Sequence, residues 1–245
     1  MLFYKNPVLL NRETHRNLHL NAPADGYTYA AACNAIPLTA PEFARAACEY
    51  PIVFVVDEGN PTMPVVMTGL RDAENLFVSA SGVWDAGYIP AFVRRYPFLS
   101  QDQDQEGNCL VMIDESYSGF TTQGGEPLFG EDGNPAPMLG RMIEFLEDGR
   151  RHAGFTEGFT NRLAKYDLLV PHSMEVVTYD NKKFLLNGFS VVDENRLAAL
   201  SDTQLVELLR SGDLGCIQAH LISLNNVGKL SRALEERLVQ ETAAA

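Results

Sequence analysis

The chain of 245 residues carries 32 acidic against 19 basic side chains, a formal net charge of -13, with 46% hydrophobic and 21% charged residues. That balance excludes a disordered or membrane-embedded polypeptide, and its field repels phosphate backbones, so nucleic acid is disfavoured as a partner. The length suffices for a single domain over 1-245, or for two joined lobes, a β-rich 1-135 and a helix-rich 136-245 containing one hairpin.

The opening MLFYKNPVLLNRETHRN has no apolar run of signal-peptide length, and the densest apolar stretch, Ile52 to Val56, is far short of the roughly 20 residues that cross a bilayer. Cys33, Cys48, Cys109 and Cys216 form no C-x-x-C pair and no zinc spacing. Cys33, Cys48 and Cys216 stand among alanines and aliphatics, as reduced, buried thiols would. A cytoplasmic location is the expectation.

Residues 1 to 38 show no clean period. Thr39, Pro41 and Glu42 then spell a capping box, which predicts a helix to about Glu49, stopped by Tyr50-Pro51. Pro51 to Val56 and Val65 to Thr68 predict a hairpin across the Asp57 to Pro61 turn. Asn75 to Ser79 and Tyr88 to Leu99 are predicted to continue the β region around a Ser81-Gly82 turn. The segment 101 to 108 reads as a polar loop tip, and Leu110 to Ile113 as a strand. Five glycines and three prolines between Ser116 and Pro137 predict irregular structure, a lid, binding loop or connector.

Helical spacing returns at Met138, Met142, Phe145 and Leu146, and a separate helix is predicted from Phe155 to Tyr166. Met174 to Tyr179 and Phe184 to Val192 predict a hairpin turning at Asp180-Asn181. Ser201 with Gln204 opens a helix that Gly212 ends, the stripe Leu214, Ile217, Leu221 and Leu224 marks another, and 228 to 240 marks a tail helix. The fold class is therefore α+β, with a mixed, largely antiparallel sheet in the N-terminal and middle regions and a helical C-terminal third.

Familiar catalytic spellings are absent: no G-x-S-x-G, no phosphate-binding glycine loop, no H-E-x-x-H. His15 and His19 are four apart, but Asn17, Pro7 and Pro23 argue against a helix there, so no metal pair is assigned. The run from Trp84 to Phe98 packs the only tryptophan, Tyr88, Tyr96, Arg94 and Arg95, two phenylalanines and two prolines into fifteen positions. Arginine beside aromatic rings suits a cleft that grips a carboxylate or phosphate; the alternative is a core strand whose arginines pair with acids. If the run is extended, Arg94 shares a face with Tyr88, Phe92 and Tyr96 and Arg95 takes the other. The stretch with Arg71, Asp72, Glu74 and Asn75 would supply the carboxylate. His220 borders an apolar helical stripe and is either a general base or a hydrogen-bonded core histidine.

Together these segments resemble the SapC family of bacterial proteins. The resemblance rests on Leu2-Phe3-Tyr4-Lys5-Asn6-Pro7 with His15, Ile36-Pro37-Leu38-Thr39, Tyr50 to Phe54, Gly69-Leu70-Arg71 with Glu74-Asn75, the Tyr88 to Phe98 run, Gly125 to Phe129, Gly188-Phe189 and Ala219-His220-Leu221. It implies an association with a bacterial surface layer. The permease title of some relatives does not fit a chain without a spanning helix. It also implies neighbourhoods of TonB-dependent receptors, tryptophan halogenases and cupin-like oxygenases. The first functional expectation is a soluble binding or accessory protein that partners an oxygenase or halogenase system linked to nutrient uptake. The alternatives are an enzyme using an Arg/Tyr/His pocket on an anionic substrate, and a surface-layer protein. The candidate ligand-binding residues are Trp84, Tyr88, Arg94, Arg95, Tyr96, Arg71, Asn75, His15 and His220; no cofactor or metal is assigned. A protein partner or a small anionic ligand is the expected company.

Overall fold

The computed structural model describes residues 2-23, 25-56, 62-103, 109-178 and 181-244. The strands in chain order are β1 (Pro7–Leu9), β2 (His19–Leu20), β3 (Ala35–Pro37), β4 (Ile52–Val55), β5 (Met63–Met67), β6 (Phe98–Gln103), β7 (Cys109–Asp114), β8 (Phe120–Thr121), β9 (Glu126–Pro127), β10 (Leu169–Val177) and β11 (Lys183–Val192). The helices are α1 (Phe43–Ala46), α2 (Ala91–Arg94), α3 (Pro137–Lys165), α4 (Glu194–Ala198), α5 (Asp202–Ser211), α6 (Asp213–Ser223) and α7 (Val227–Ala244). The class is α+β, with antiparallel sheets in the N-terminal and middle parts and a helical C-terminal region. Among the described residues no helix is long and apolar enough to cross a membrane.

The largest sheet runs β10-β11-β4-β5-β3 and joins strands from both ends of the chain, with Ser190 paired to Phe54. Its neighbours β4 and β5 pair antiparallel, and Ile52 to Phe54 and Pro64 to Met67 are buried where helices cover the sheet. Phe43 of α1, Phe54 of β4 and Phe159 of α3 meet at centroid distances of 5.8 to 6.3 Å and are almost fully buried. Each such ring removed from water contributes about 2 to 3 kcal/mol. A second core gathers Phe98, Val111, Ile113, Leu128, Leu139 and Leu146 under the sheet β1-β7-β6. The small sheet β8-β2-β9 draws two short strands from the 116-137 stretch, which is otherwise irregular as predicted.

Both capping boxes form. Glu42 returns to the Thr39 backbone N–H at 2.9 Å, and Gln204 to that of Ser201 at 2.9 Å; the first opens a 3₁₀ turn over Ala40–Glu42 before α1. Gly212 ends α5 in the left-handed region at φ 82°.

Several expectations need correction. The two separate helices predicted around Met138 and Phe155 are one 29-residue helix, α3, which carries Gly149 and Gly154 without a break. Each of those glycines costs about 1 kcal/mol against alanine, a local penalty that the buried face of Leu139, Leu146, Phe159 and Leu163 overrides. Asn75 to Ser79 forms only an isolated bridge, Val78 to Trp84. Tyr88 to Leu99 is not a strand: Pro90 starts α2, and β6 begins only at Phe98. Cys48 is exposed rather than buried, whereas Cys33 is buried. The predicted Asp57 to Pro61 turn, most of the 101-108 loop tip and Asp180 of the second turn lie outside the described residues.

One close approach shapes the N-terminal region. Gly26 and Gly82 cross backbone to backbone, at φ 56° and 78°, and a Cβ on Gly82 would lie 1.8 Å from the Asp25 carbonyl oxygen. Glycine is required at both for lack of space and for the sign of φ. The crossing lets Tyr27 N–H donate to the Gly82 carbonyl at 2.8 Å, fixing the tyrosine-rich turn that follows.

Candidate functional site

The site begins with Glu42. Its carboxylate is buried yet meets no cation among the described residues; it accepts instead from Thr39 N–H at 2.9 Å, Thr39 Oγ1 at 2.8 Å, Tyr88 OH at 2.6 Å and Ala91 N–H at 2.8 Å. Four donors saturate a carboxylate's acceptor positions. Glu42 therefore caps α2 and pins Tyr88, and its oxygens are not available to a ligand cation. Burial, followed by the Glu42 hydrogen bond, raises the Tyr88 hydroxyl well above the ordinary phenol range.

With α2 held this way, Arg94 and Arg95 both line one cavity of about 580 Å³, closed on the far side by α3. The extended-strand expectation that separated them onto opposite faces is overturned, because successive helical positions diverge by far less than successive strand positions. Arg94 Nε donates to the Ile89 carbonyl at 2.9 Å, and its guanidinium lies 5.1 Å from the Phe145 ring centroid and 5.8 Å from that of Tyr88. Arg95 sits 4.1 Å from the centroid of Phe92 and 6.0 Å from that of Tyr4. Its Nε is buried without a hydrogen-bond partner among the described residues.

Three further basic side chains share the wall: Arg45 of α1, and Arg150 and His152 of α3. Among the described residues of the wall, four arginines stand against Glu42 and Asp148, a net of two positive charges in a chain that is otherwise strongly acidic. Asp148 pairs with Arg151, which lies outside the wall. Among the described residues, Arg45, Arg94, Arg95 and Arg150 pair with no carboxylate. Chemically, this is a partly enclosed basic recess with aromatic floors, able to grip a carboxylate or phosphate through guanidinium forks.

The SapC family model matches residues 10–230. The chain belongs to that family. No curated protein and no solved structure matches it. Every described residue of the basic cavity falls inside the span matched by the SapC model, whereas Tyr4, whose ring lies 6.0 Å from the Arg95 guanidinium, falls outside it.

Of the sequence-derived candidates, Tyr88, Arg94 and Arg95 come together in the cavity. The others lie elsewhere. Trp84 is buried and donates through Nε1 to Tyr50 OH at 2.8 Å. Tyr96 OH donates to Asp114 at 3.3 Å, and Tyr96 does not line this cavity. Burial would raise the Asp114 carboxyl, but hydrogen bonds from Ser116 and from the Lys5, Asn6 and Ser116 N–H groups hold it below its usual range.

Arg71 is forked onto Glu74 and reaches Glu241, so the expected pairing of this acidic stretch with Arg94 or Arg95 does not occur. Asn75 is buried and ties Ala30 to Phe77 through its amide. His15 Nε2 contacts Glu115 at 3.2 Å while its Nδ1 accepts from Asn11 N–H. His220 is fully buried, receiving Val192 N–H at Nε2 and donating from Nδ1 to the Ile52 carbonyl at 2.8 Å. A single pocket gathering Arg94 or Arg95 with His15 and His220 is therefore ruled out. Sequence reasoning missed Arg45, Glu42, Arg150, His152 and Phe145; the basic run Arg150-Arg151-His152 in an acidic chain was the available signal.

Proposed function

We propose that this chain is a binding protein for a small molecule bearing a carboxylate or phosphate group, held in the basic cavity between α2 and α3. The observation that carries the reading is the pair Arg94 and Arg95, both on the wall, both stacked on aromatic rings and neither neutralised by an acid among the described residues. Holding like charges together unpaired is costly unless an anion arrives to share them. Calorimetric titration with phosphate, sulfate and citrate at constant ionic strength tests it. Saturable binding is expected, with Arg95→Ala weakening it about 10- to 100-fold, as loss of a charge-assisted hydrogen bond does. No heat from any of the three anions would sink the proposal.

The role as accessory to a modifying oxygenase or halogenase system is supported by the family resemblance alone. A second reading, an enzyme acting on the same anion, draws on His152, whose imidazole on the cavity wall is suited to proton transfer. Turnover of a phosphate ester that His152→Gln abolishes without loss of phosphate binding would favour it. We also place the protein in the cytoplasm; recovery with the cell envelope on fractionation would instead favour the surface-layer alternative.

A further inference from the structure

Beside the basic cavity lies a second recess of about 330 Å³, walled by Pro23, Tyr27, Tyr29, Tyr96, Tyr117 and Arg94. Arg94 is common to both walls. The tyrosine rings are held in place by their own hydroxyls: Tyr29 OH donates to the Val93 carbonyl at 3.0 Å, Tyr96 OH to Asp114, and Tyr117 OH to the Asn21 carbonyl at 3.3 Å. With the hydroxyls tied back, ring faces and edges are left to form the wall. Tyr29 and Tyr96 lie 4.3 Å apart at 30°, and Tyr117 stands at 87° to Tyr96. Tyr27, carried in by the Gly26-Gly82 crossing, borders the same recess, and among the described residues no ring contact joins it to Tyr117. The recess is thus lined largely by tyrosine side chains, three of them anchored through their hydroxyls, and it shares the Arg94 side chain with the basic cavity.

We infer that the ligand of this site is an aryl-bearing anion, its charged group among the arginines and its flat ring in the tyrosine slot. The inference rests on the anion reading above and adds the second half of the molecule. A bare inorganic anion would use the arginines and leave the tyrosine slot unused, while a neutral aromatic molecule would leave the arginines unpaired. Both recesses fall in the size range of small-molecule sites.

Calorimetric titration of the intact chain with inorganic phosphate, phenyl phosphate and 1-naphthyl phosphate tests it. The aryl esters are expected to bind about tenfold tighter than phosphate, the increment that aromatic packing supplies. Tyr27→Leu and, separately, Tyr117→Leu are expected to bring the esters to within about twofold of phosphate while leaving phosphate affinity unchanged, which also certifies that each variant is folded. Aryl esters no tighter than phosphate would overturn the inference and leave the anion reading standing. Tighter esters whose advantage survives both tyrosine substitutions would also overturn it, placing the ring elsewhere in the basic cavity. Absence of binding by phosphate and esters alike would overturn the anion reading itself.

Discussion

His220 makes a quantitative demand on the pH dependence of stability. Its ring is fully buried, with Nδ1 donating to the Ile52 carbonyl and Nε2 accepting from Val192 N–H. Protonation would turn Nε2 into a donor facing another donor. Burial, only partly opposed by the Ile52 bond, accordingly pushes the imidazole from its ordinary 6.5 down to about 4. Because the folded state binds this proton less readily than the unfolded state, the contribution is complete above pH 6.5 and is lost as pH falls towards 4. Each tenfold difference in proton affinity between the two states is worth about 1.4 kcal/mol, so the loss is about 2 kcal/mol by pH 5 and about 3 kcal/mol by pH 4.

The assay is urea denaturation of the parent and of His220→Asn at pH 7, 6, 5 and 4. The variant is less stable at pH 7, having lost one of two buried hydrogen bonds, but the gap between the two proteins should narrow by those amounts on acidification. Curves that stay parallel from pH 7 to pH 4 would refute the reasoning, since the titration would then belong to other groups.

Glu42→Ala removes the acceptor of four donors at once, including Ala91 N–H and the Tyr88 hydroxyl. A loss of about 2 to 4 kcal/mol in denaturant titration is expected, together with weakened anion binding as α2 loosens. Gly82→Ala places a methyl group against the Asp25 carbonyl at positive φ and should cost about 2 to 4 kcal/mol. The same change at Gly124, whose added Cβ would meet nothing within 4 Å, should cost only the smaller strain of positive φ, and comparing the two melting temperatures separates crowding from backbone strain.

Local signals in this chain were legible where their partners are local. Thr39 with Glu42 and Ser201 with Gln204 each complete a cap within three residues, and β4 with β5 and β10 with β11 pair as neighbours in the chain. The aromatic and arginine-rich run failed as a strand for the opposite reason. What makes Ala91 to Arg94 helical is Glu42, forty-nine positions before Ala91, and no periodicity within the run records that contact. The arginine pair was visible as text, but its company was not: Arg45 arrives on α1 and Arg150 on α3, and only packing brings the two helices to the same hollow. Reading α3 as two helices hid that side of the cavity as well, since Gly149 and Arg150 fall in the gap between the two predicted pieces.

Ile52 sets a timetable for making this molecule. Its N–H donates to Ser223 Oγ at 2.9 Å and its carbonyl receives the His220 ring, so both backbone groups of a fully buried residue in the first quarter of the chain are satisfied by side chains near its end. During synthesis the β4-β5 hairpin emerges first and carries a strand edge with bare polar groups until residues 220 to 223 follow. A chain cut before that point would lack the α6 side chains that bond Ile52 and pack on β4, leaving its N–H and carbonyl to water and that part of the apolar core uncovered. Completion of α6 is thus a condition for closing the N-terminal core.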